Sequence, residues 1–386
     1  MRSFRGWFAA LLLVSLAWGG GSKAFAQELD WTHFGVRPLG MGNAFVAVAD
    51  DYNALFYNPA GLARLKTWDM DLLVPKLEVS TTTIDTVNSA LEFAGGESGD
   101  FLKVLELLED FTGKTNYASL GFTPNFIMKN FGIGASLMLK TQFVVHREIS
   151  LDIDAGPELI MPVAVAFNFL EDRLSIGGGL KIVAKGGIDQ NFSINDIEAF
   201  ASEEDEADET PEDPANPEEN VKLEDFFIGG VGVGTDFGIL FTPIKTMEPT
   251  LGISITDFGG TPYKKFDVEG EALGAPATRL PSVNPGLSLK PWTSGKQYLL
   301  TAIDAHSVNQ PQHYSKKFNL GVEWGYSHII KVQTGLHQGE LTAGFQFDVK
   351  LLYIRFATYA EQLGTYAGQD DNLRDRRYAL QLKLLL

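Results

Sequence analysis

The sequence predicts an all-β fold: a transmembrane antiparallel β-barrel of about 14 strands, with an amino-terminal plug inside its lumen. Hydrophobic residues make up 45% of the chain, yet no apolar run after Gln27 is long enough to cross a bilayer as a helix. Segments of alternating polarity fill most of the chain, and short and long connections alternate between them. Because backbone groups in hydrocarbon need internal partners, a chain that crosses without helices must close its sheet.

Residues 1–26 have the pattern of a signal peptide. Arg2 and Arg5 precede an apolar run, and Ala24-Phe25-Ala26 is a small-x-small cleavage site. We therefore expect export, cleavage near Ala26 and a mature chain that begins at Gln27. This pattern and the predicted barrel together place the chain in the bacterial outer membrane, in contact with outer-membrane lipid and lipopolysaccharide.

The formal net charge is −18, and loss of the signal peptide makes it more negative. Such a charge argues against nucleic acid as a partner and against electrostatic attachment to anionic lipid. The sequence has no cysteine, which excludes a disulfide framework and a thiolate zinc site. We assign no cofactor and no metal.

The stretch 37–65 does not alternate like a strand. Gly40 and Gly42 permit positive φ and close backbone approach. Asn58 to Gly61, of sequence NPAG, predicts a turn, because proline fixes φ and glycine follows it closely. The stretch is therefore expected to be compact, which is typical of a plug.

The sequence GMGNAFVAVADDYNALFYNPAGLA resembles the amino-terminal hatch of the FadL/TodX outer-membrane transporters, which carry long-chain fatty acids and other hydrophobic compounds. It resembles equally the hatch of the related PorV-like barrels. The resemblance implies a hatch over 27–66, a barrel of 14 strands over 67–386, and a ligand-gating role for the positions that match the motif. These positions are Gly40, Gly42, Asn43, Ala44, Asn58, Pro59, Ala60 and Gly61.

The alternation predicts a first strand at 67–80, where Trp68, Met70, Leu72 and Val74 share one face. The count is 14, with the further strands at 115–128, 131–149, 159–170, 174–191, 225–241, 250–258, 282–292, 297–307, 317–326, 330–337, 341–348, 351–359 and 377–386.

The connections after the even-numbered candidate strands are short, as expected for the periplasmic side of an outer-membrane barrel. Aromatic residues flank them and predict an interfacial girdle. They are Phe126, Phe131, Phe169, Phe241, Trp292, Tyr298, Trp324, Tyr326, Phe347 and Tyr353.

The last candidate strand alternates down to Leu386. It resembles the carboxy-terminal assembly signal of outer-membrane proteins, with Leu386 in place of the usual terminal aromatic. The resemblance implies recognition by the barrel-assembly machinery.

Two long outer loops have distinct compositions. The loop 81–114 contains an amphipathic stripe from Asp100 to Phe111, which predicts a helix that either packs on the barrel rim or receives a hydrophobic ligand. The acidic loop 195–224 cannot bury enough apolar surface to order itself. It is interpreted as a solvated surface loop, or as a weak divalent-cation binder near lipopolysaccharide headgroups, although it lacks EF-hand spacing.

Strand parity predicts charges that face the lumen. They either form structural ion pairs or guide a fatty-acid carboxylate. The basic ones are Lys140, Lys181, Lys290, Lys331, Arg355 and Lys383, and the acidic ones are Asp236, Glu323 and Asp348.

Four prolines lie inside candidate strands, where each removes a ladder donor and predicts a bulge or local opening. They are Pro75, Pro124, Pro162 and Pro285. They resemble in kind the strand kink of the FadL family, although that kink lies in the third strand, where none of the four prolines falls.

Two patterns in the sequence bear on catalysis. Gly230, Gly232 and Gly234 spell GxGxG, but no helix follows, so they are interpreted as strand glycines. Asp304 and His306 are interpreted as rim polarity, because no nucleophile elbow or HExxH motif accompanies them. The chain is not expected to be an enzyme.

Two functions remain open from the sequence. The first is passive uptake of hydrophobic compounds such as long-chain fatty acids through the outer membrane, with a hydrophobic small molecule as ligand. The second is a PorV-like barrel that binds or shuttles exported proteins without transporting small molecules, since the carboxy-terminal part resembles those barrels at least as much. An apolar tunnel would favour the first function, and a blocked lumen with a protein partner would favour the second.

Overall fold

The computed structural model describes residues 35–86, 112–145, 150–193, 226–265, 274–349, 352–364, 366–367 and 374–384. The predicted signal peptide, the amphipathic helix between Asp100 and Phe111, and the acidic loop 195–224 lie outside the described residues. No helix among the described residues is long and apolar enough to cross a membrane.

The described strands form one sheet of 18 segments. In chain order they are β1 (Asp69–Asp71), β2 (Pro75–Ser80), β3 (Thr115–Phe122), β4 (Asn125–Met128), β5 (Phe131–Gly134), β6 (Ser136–Val145), β7 (Leu151–Phe169), β8 (Leu174–Phe192), β9 (Phe227–Phe241), β10 (Thr250–Thr256), β11 (Tyr263–Lys265), β12 (Ser282–Ser294), β13 (Gln297–Ala305), β14 (Phe318–Tyr326), β15 (Ile330–His337), β16 (Glu340–Val349), β17 (Leu352–Gln362) and β18 (Arg374–Leu384).

The sheet closes on itself. Arg377 of β18 lies opposite Ser80 of β2, and Gln381 lies opposite Lys76, so the last strand pairs with the first. Each passage of the chain across the barrel wall is here called a crossing. The first three crossings are each divided into two segments, which are β1 with β2, β3 with β4, and β5 with β6. The short strand β11 lies beside β9 and is not a separate crossing. The predicted antiparallel barrel of 14 strands is therefore confirmed.

Outward and inward residues alternate along the strands. In β14 the exposed positions run from Phe318 through Leu320, Val322 and Trp324 to Tyr326, while the positions between them are buried. Apolar residues thus face outward and polar ones, such as Glu323, face the lumen. This is the polarity that a lipid-embedded barrel requires.

The fourth crossing begins earlier than the sequence predicted. β7 starts at Leu151, and only residues 146–150 separate it from β6. The expectation that this strand begins at residue 159 was wrong, because Gly156 and Pro157 lie within β7 and pair with β6. Gly156 instead lies against glycines of β8, where an added Cβ would come within 2.1 Å of the Gly186 carbonyl oxygen.

The prolines interrupt the ladder at only two of the four expected positions. Between Asp71 and Pro75 the register shifts, since Asp71 lies opposite Asn125 but Pro75 opposite Phe122. Pro124 lies in the break between β3 and β4.

At Pro162 and Pro285 the expectation was wrong. Pro162 lies opposite Lys181 and Pro285 opposite Ile253 without a shift in register. The bulge in β12 falls instead between Leu289 and Trp292, at Pro291. A strand proline disturbs the ladder only where its missing N–H would face a partner, and that depends on the neighbouring strand.

The third crossing is also interrupted, which the prolines did not predict. Ala135 separates β5 from β6 and donates its N–H to the Pro124 carbonyl, 2.8 Å away. The register stays continuous across this break, because Ile133 lies opposite Val163 and Ser136 opposite Ile160. The interruptions of the first three crossings are therefore adjacent in the sheet.

Residues 35–65, here called the lumenal segment, lie inside the barrel. The segment contains the short helices Val36–Gly40 and Ala54–Tyr57 and the 3₁₀ helix Pro59–Arg64. Inward-facing glycines of seven strands around the ring approach its backbone or side chains so closely that an added Cβ would lie within about 3 Å of it. These glycines are Gly132, Gly177, Gly238, Gly252, Gly321, Gly335 and Gly344.

Adjacent glycines of β8 provide a matched test of this packing. At Gly177 an added Cβ would come within 2.5 Å of the Ala60 nitrogen, whereas at outward-facing Gly178 it would lie 3.4 Å from the Phe237 ring. We expect Gly177→Ala to destabilise the barrel by about 1–3 kcal/mol, since backbone cannot yield as a side chain can. Gly178→Ala should change stability by less than about 0.5 kcal/mol. Urea unfolding in detergent measures both, and equal effects would contradict the placement of the segment.

Candidate functional site: the lumenal segment and its anchors

The lumenal segment has a small apolar core of its own. Phe45, Tyr57 and Leu62 are buried in one cluster with residues of the surrounding strands. The Phe45 and Tyr57 rings meet edge to face with centroids 5.6 Å apart. Tyr57 donates its hydroxyl to Asn43 Oδ1 at 2.6 Å. The segment therefore packs as an ordered unit against the barrel wall.

The NPAG turn is held by Asn58. Its Oδ1 accepts from the Ala60 N–H at 3.1 Å, and its Nδ2 donates to the Val46 carbonyl at 2.9 Å. The first contact caps the 3₁₀ helix that begins at Pro59. The second ties this turn to Val46 in the middle of the segment.

All eight motif positions are buried inside the barrel. Gly42 and Asn43 have φ values of 60° and 63°, which glycine and asparagine tolerate best and which turn the chain after the first helix. Gly40 lies against Gly344. Gly61 lies against the Ala49 carbonyl within the segment. None of the eight carries reactive chemistry, so their contribution is geometric, and their gating role stays a prediction.

Arg37 is the main charged anchor of the segment. Its Nε and Nη2 each lie 2.8 Å from an oxygen of Glu323, a bidentate pair in which both side chains are at most 1% exposed. Its Nη1 lies 2.5 Å from Asp50 and 2.9 Å from Asp51. One guanidinium thus joins the segment to β14 and also folds the segment on itself.

The environment of Arg37 is balanced in charge. Burial alone would raise the pKa of Asp51, but nearby Arg37, Arg355 and Lys331 hold it below its usual range. Burial likewise opposes the charge on Arg37, but the surrounding carboxylates raise its pKa well above the usual value. Both groups are therefore ionised near neutral pH.

Sequence reasoning did not single out Arg37. The sequence did contain a signal for its role, because Arg37 lies between Val36 and Pro38-Leu39 in a segment predicted to be compact. If such a segment is buried, its arginine needs an acidic partner. The partner could not be named, since Glu323 lies 286 residues away along the chain.

Asp304 forms a second anchor. Its Oδ2 accepts from the backbone N–H groups of Phe45 and Val46 at 2.5 and 2.7 Å, and His306 Nε2 lies 3.3 Å from the same oxygen. Both Asp304 and His306 are fully buried. The expectation that this pair is rim polarity was wrong. The two residues share a face, as predicted, but that face is the lumen, where the pair holds the segment.

The other predicted lumen charges are mostly ion-paired. Lys181 Nζ lies 2.8 Å from Asp236 and 3.1 Å from Asp257. Arg355 stacks over the rings of Tyr353 and Tyr52, with its guanidinium carbon 4.1 and 5.4 Å from their centroids. The remaining described contacts are Lys140 with Asp154, Lys290 with Glu248, Lys383 with Asp71, and Lys331 beside Glu323. Asp348 lies opposite Tyr353 in the sheet.

Beyond the lumenal segment, polar side chains also fill the described lumen. Arg377 lies over the Tyr117 ring, 3.6 Å from its centroid, and pairs with Asp375 at 2.6 Å. His337 Nε2 lies 3.0 Å from Glu361. All of these side chains are buried. The described lumen is therefore lined by a polar, ion-paired network.

The Arg37–Glu323 pair can be tested by a double-mutant cycle. Arg37→Gln removes the bidentate ion partner of the buried Glu323 carboxylate and should cost about 3–5 kcal/mol of unfolding free energy. Glu323→Gln should cost less, because Asp50 and Asp51 still compensate Arg37. The double variant should cost less than the sum of the two.

Lys290→Gln is the control for that cycle. It removes a pair whose side chains are 36% and 53% exposed, so it should cost less than about 1 kcal/mol. Additive effects of Arg37→Gln and Glu323→Gln, measured by urea unfolding, would show that the two residues do not act as a pair.

No protein-family model matches the chain, and no curated protein matches it. Among solved structures, the CymD monoaromatic hydrocarbon channel is similar with a TM-score of 0.50 and 11% identity, over 92% of this chain and 97% of that chain. The toluene transporter TbuX of Ralstonia pickettii is similar with a TM-score of 0.49 and 12% identity, over 92% and 98%. The strand count, the closure and the superposition on CymD agree, and the chain therefore has the fold of the FadL/TodX-like outer-membrane barrels.

Proposed function

We propose that this protein is a passive channel for hydrophobic compounds in the bacterial outer membrane, gated by the lumenal segment. The observation that carries the proposal is the compact segment held inside a closed barrel of this fold by Arg37 and Asp304. Neither anchor is covalent. Both can be released and remade without breaking the barrel ladder.

The physical need for such a route follows from the ligand. A long acyl chain gains about 0.8 kcal/mol per CH₂ on leaving water, while the polysaccharide layer outside the membrane blocks direct partition. We take long-chain fatty acids as one substrate and monoaromatic hydrocarbons as another, because the similar CymD structure is described as a channel for the latter.

The membrane assignment has separate support. The outward faces of the strands carry exposed apolar residues, and aromatic residues flank the short connections. We propose a cleaved signal peptide that ends near Ala26, contact with lipid and lipopolysaccharide, and insertion by the barrel-assembly machinery through the terminal strand.

The adjacent interruptions of the first three crossings are the proposed exit. Near them, added Cβ atoms at Gly132 and Gly134 would lie 3.0 and 3.1 Å from Leu55, so apolar residues of the lumenal segment reach this part of the wall. A hydrophobic ligand that displaces the segment would leave sideways between apolar surfaces. It would not have to cross the polar network of the lumen.

A disulfide tests whether the segment must move. The chain has no cysteine, so Ala47→Cys with Gly252→Cys introduces a single pair, and an added Cβ at residue 252 lies 3.1 Å from the Ala47 Cβ. A disulfide requires about 3.5–4.5 Å, which a small shift supplies. We expect liposomes with the wild type to take up labelled oleate and toluene. The oxidised pair should lose most of this uptake, and reduction should restore it.

The single variant Gly252→Cys is the control, because it adds the same bulk without the cross-link. Absence of uptake by the wild type would overturn the channel proposal. Uptake that survives oxidation would overturn the gating role of the segment and leave the channel intact.

The polar, packed lumen favours a second function. A barrel sealed by ion pairs such as Lys181–Asp236 and Arg377–Asp375 offers little apolar surface to a ligand. Such a barrel suits a membrane anchor that binds an exported protein at its outer rim.

Photo-crosslinking distinguishes this second function. Tyr314, which is 69% exposed, lies at the end of the long connections, whereas Trp68, which is 68% exposed, lies at the opposite end. With a photoreactive amino acid at each position in the native host, a protein-binding role predicts one discrete adduct with a secreted protein at residue 314 only. Adducts at neither position, together with oleate uptake, would reject the second function.

A further inference from the structure

The connection between β10 and β12 is one of the long connections, and its described part forms a compact unit. This part consists of residues 257–265 and 274–281, here called the outer strap. Its two arms pair with each other, because Thr261 and Arg279 exchange backbone hydrogen bonds of 2.9 and 3.1 Å. The strap is therefore an ordered element with a fixed position on the barrel.

The outer strap lies on the lumen side of β9. The valines between the β9 glycines are exposed on the outer face of the barrel, so the glycines face inward. A Cβ added at Gly230 would lie 2.9 Å from Pro276 Cδ, and one added at Gly232 would lie 2.9 Å from Thr261 Cγ2. The GxGxG pattern of this strand thus gives the strap room to pack against the wall.

The lumenal segment meets the same face of β9 closer to the short connections. An added Cβ at Gly238 would collide with the side chain of Asn58 in the NPAG turn. β9 runs from its outer end at Phe227 to its short-connection end at Phe241, and Gly230 and Gly232 precede Gly238. The strap therefore lies outward of the NPAG turn, and a ligand that enters along this wall meets the strap first.

Lys181 of β8 fastens the outer strap to the wall. Its Nζ lies 3.1 Å from Asp257 Oδ2 in the strap and 2.8 Å from Asp236 Oδ1 in β9. Asp236 Oδ1 also accepts the Asp257 backbone N–H at 2.8 Å. All three side chains are buried, so each charge depends on the others for its compensation.

Arg279 fastens the other arm of the strap. Its Nη1 lies 2.6 Å from Glu158 Oε1. Glu158 belongs to β7, which lies two strands away from β9 in the sheet, so this arm reaches across the lumen side of β8. Like the anchors of the lumenal segment, these ties are not covalent, and they can be released and remade while the barrel ladder stays intact.

We propose that the outer strap is a second gate, in series with the lumenal segment. It must lift from β8 and β9 before a hydrophobic ligand reaches the NPAG turn. Lys181 is the positioning residue that holds the strap in the closed state, through Asp257. The inference rests on the proposed channel and adds a separate barrier on its outer side.

A disulfide between the strap and β9 tests this gate. Gly232→Cys with Thr261→Cys is the pair, because an added Cβ at residue 232 lies 2.9 Å from Thr261 Cγ2, an atom bonded to the Thr261 Cβ. The chain has no other cysteine to oxidise. In liposomes, we expect oxidation of the pair to lower uptake of labelled toluene by about tenfold or more, and reduction to restore it.

The single variant Gly232→Cys is the control for the cross-link, because it adds the same bulk and should keep its uptake under oxidation. Heat-dependent migration on a gel verifies that each variant has folded. The same single variant also supplies a second measurement if the pair does not fold. The strap covers residue 232, so toluene should speed its labelling by a membrane-impermeant maleimide by about threefold or more.

Thr278→Cys is the matched control for labelling. Thr278 lies on the strap but is exposed, so its labelling rate should not depend on toluene. An equal response of Gly232→Cys and Thr278→Cys to toluene would overturn the outer gate. Uptake that survives oxidation of the pair would also overturn it, and would leave the channel intact. Absence of uptake by the wild type would instead overturn the channel, and the outer gate with it.

Discussion

A closed sheet of 14 strands encloses more space than its own side chains can fill, and this constraint organises the molecule. The lumenal segment fills part of that space, and glycines around the ring give it room. At Gly177 and Gly238 the strand backbone meets the segment so closely that a Cβ would not fit. The motif residues of the lumenal segment are small for the same reason, because the segment and the strand backbone pack closely together. The barrel wall and the lumenal segment are therefore complementary in shape. The glycines of the wall and the small residues of the segment are explained only when the two are considered together.

The charges of the lumen follow from its burial. A guanidinium or carboxylate removed from water must be paired, and Arg37 with Glu323 meets this requirement at the junction between segment and wall. Asp304 meets the same requirement by accepting hydrogen bonds from two backbone N–H groups. The same pairs that hold the segment must break if it moves. A channel with these anchors would open rarely unless the ligand stabilises the open state, since a ligand shifts an equilibrium only by its difference in affinity between the two states.

The two proposed functions place different demands on the same barrel. Uptake needs an apolar route, and we propose that it lies at the interrupted strands near Leu55, at the side of the barrel. Protein binding needs only an exposed rim and a stable, sealed wall.

The sequence by itself determined the number of crossings, their alternation and the compact nature of the segment 37–65, because these depend on a period of two residues and on local turn chemistry. It did not determine the partner of Arg37, the role of Asp304, or which prolines interrupt the ladder. Pro162 and Pro285 lie in register although Pro124 does not. The outcome at each position depends on the strand that lies across from it. Only closure of the sheet brings together residues as far apart as Arg37 and Glu323, so only the tertiary structure decided how the lumen is held.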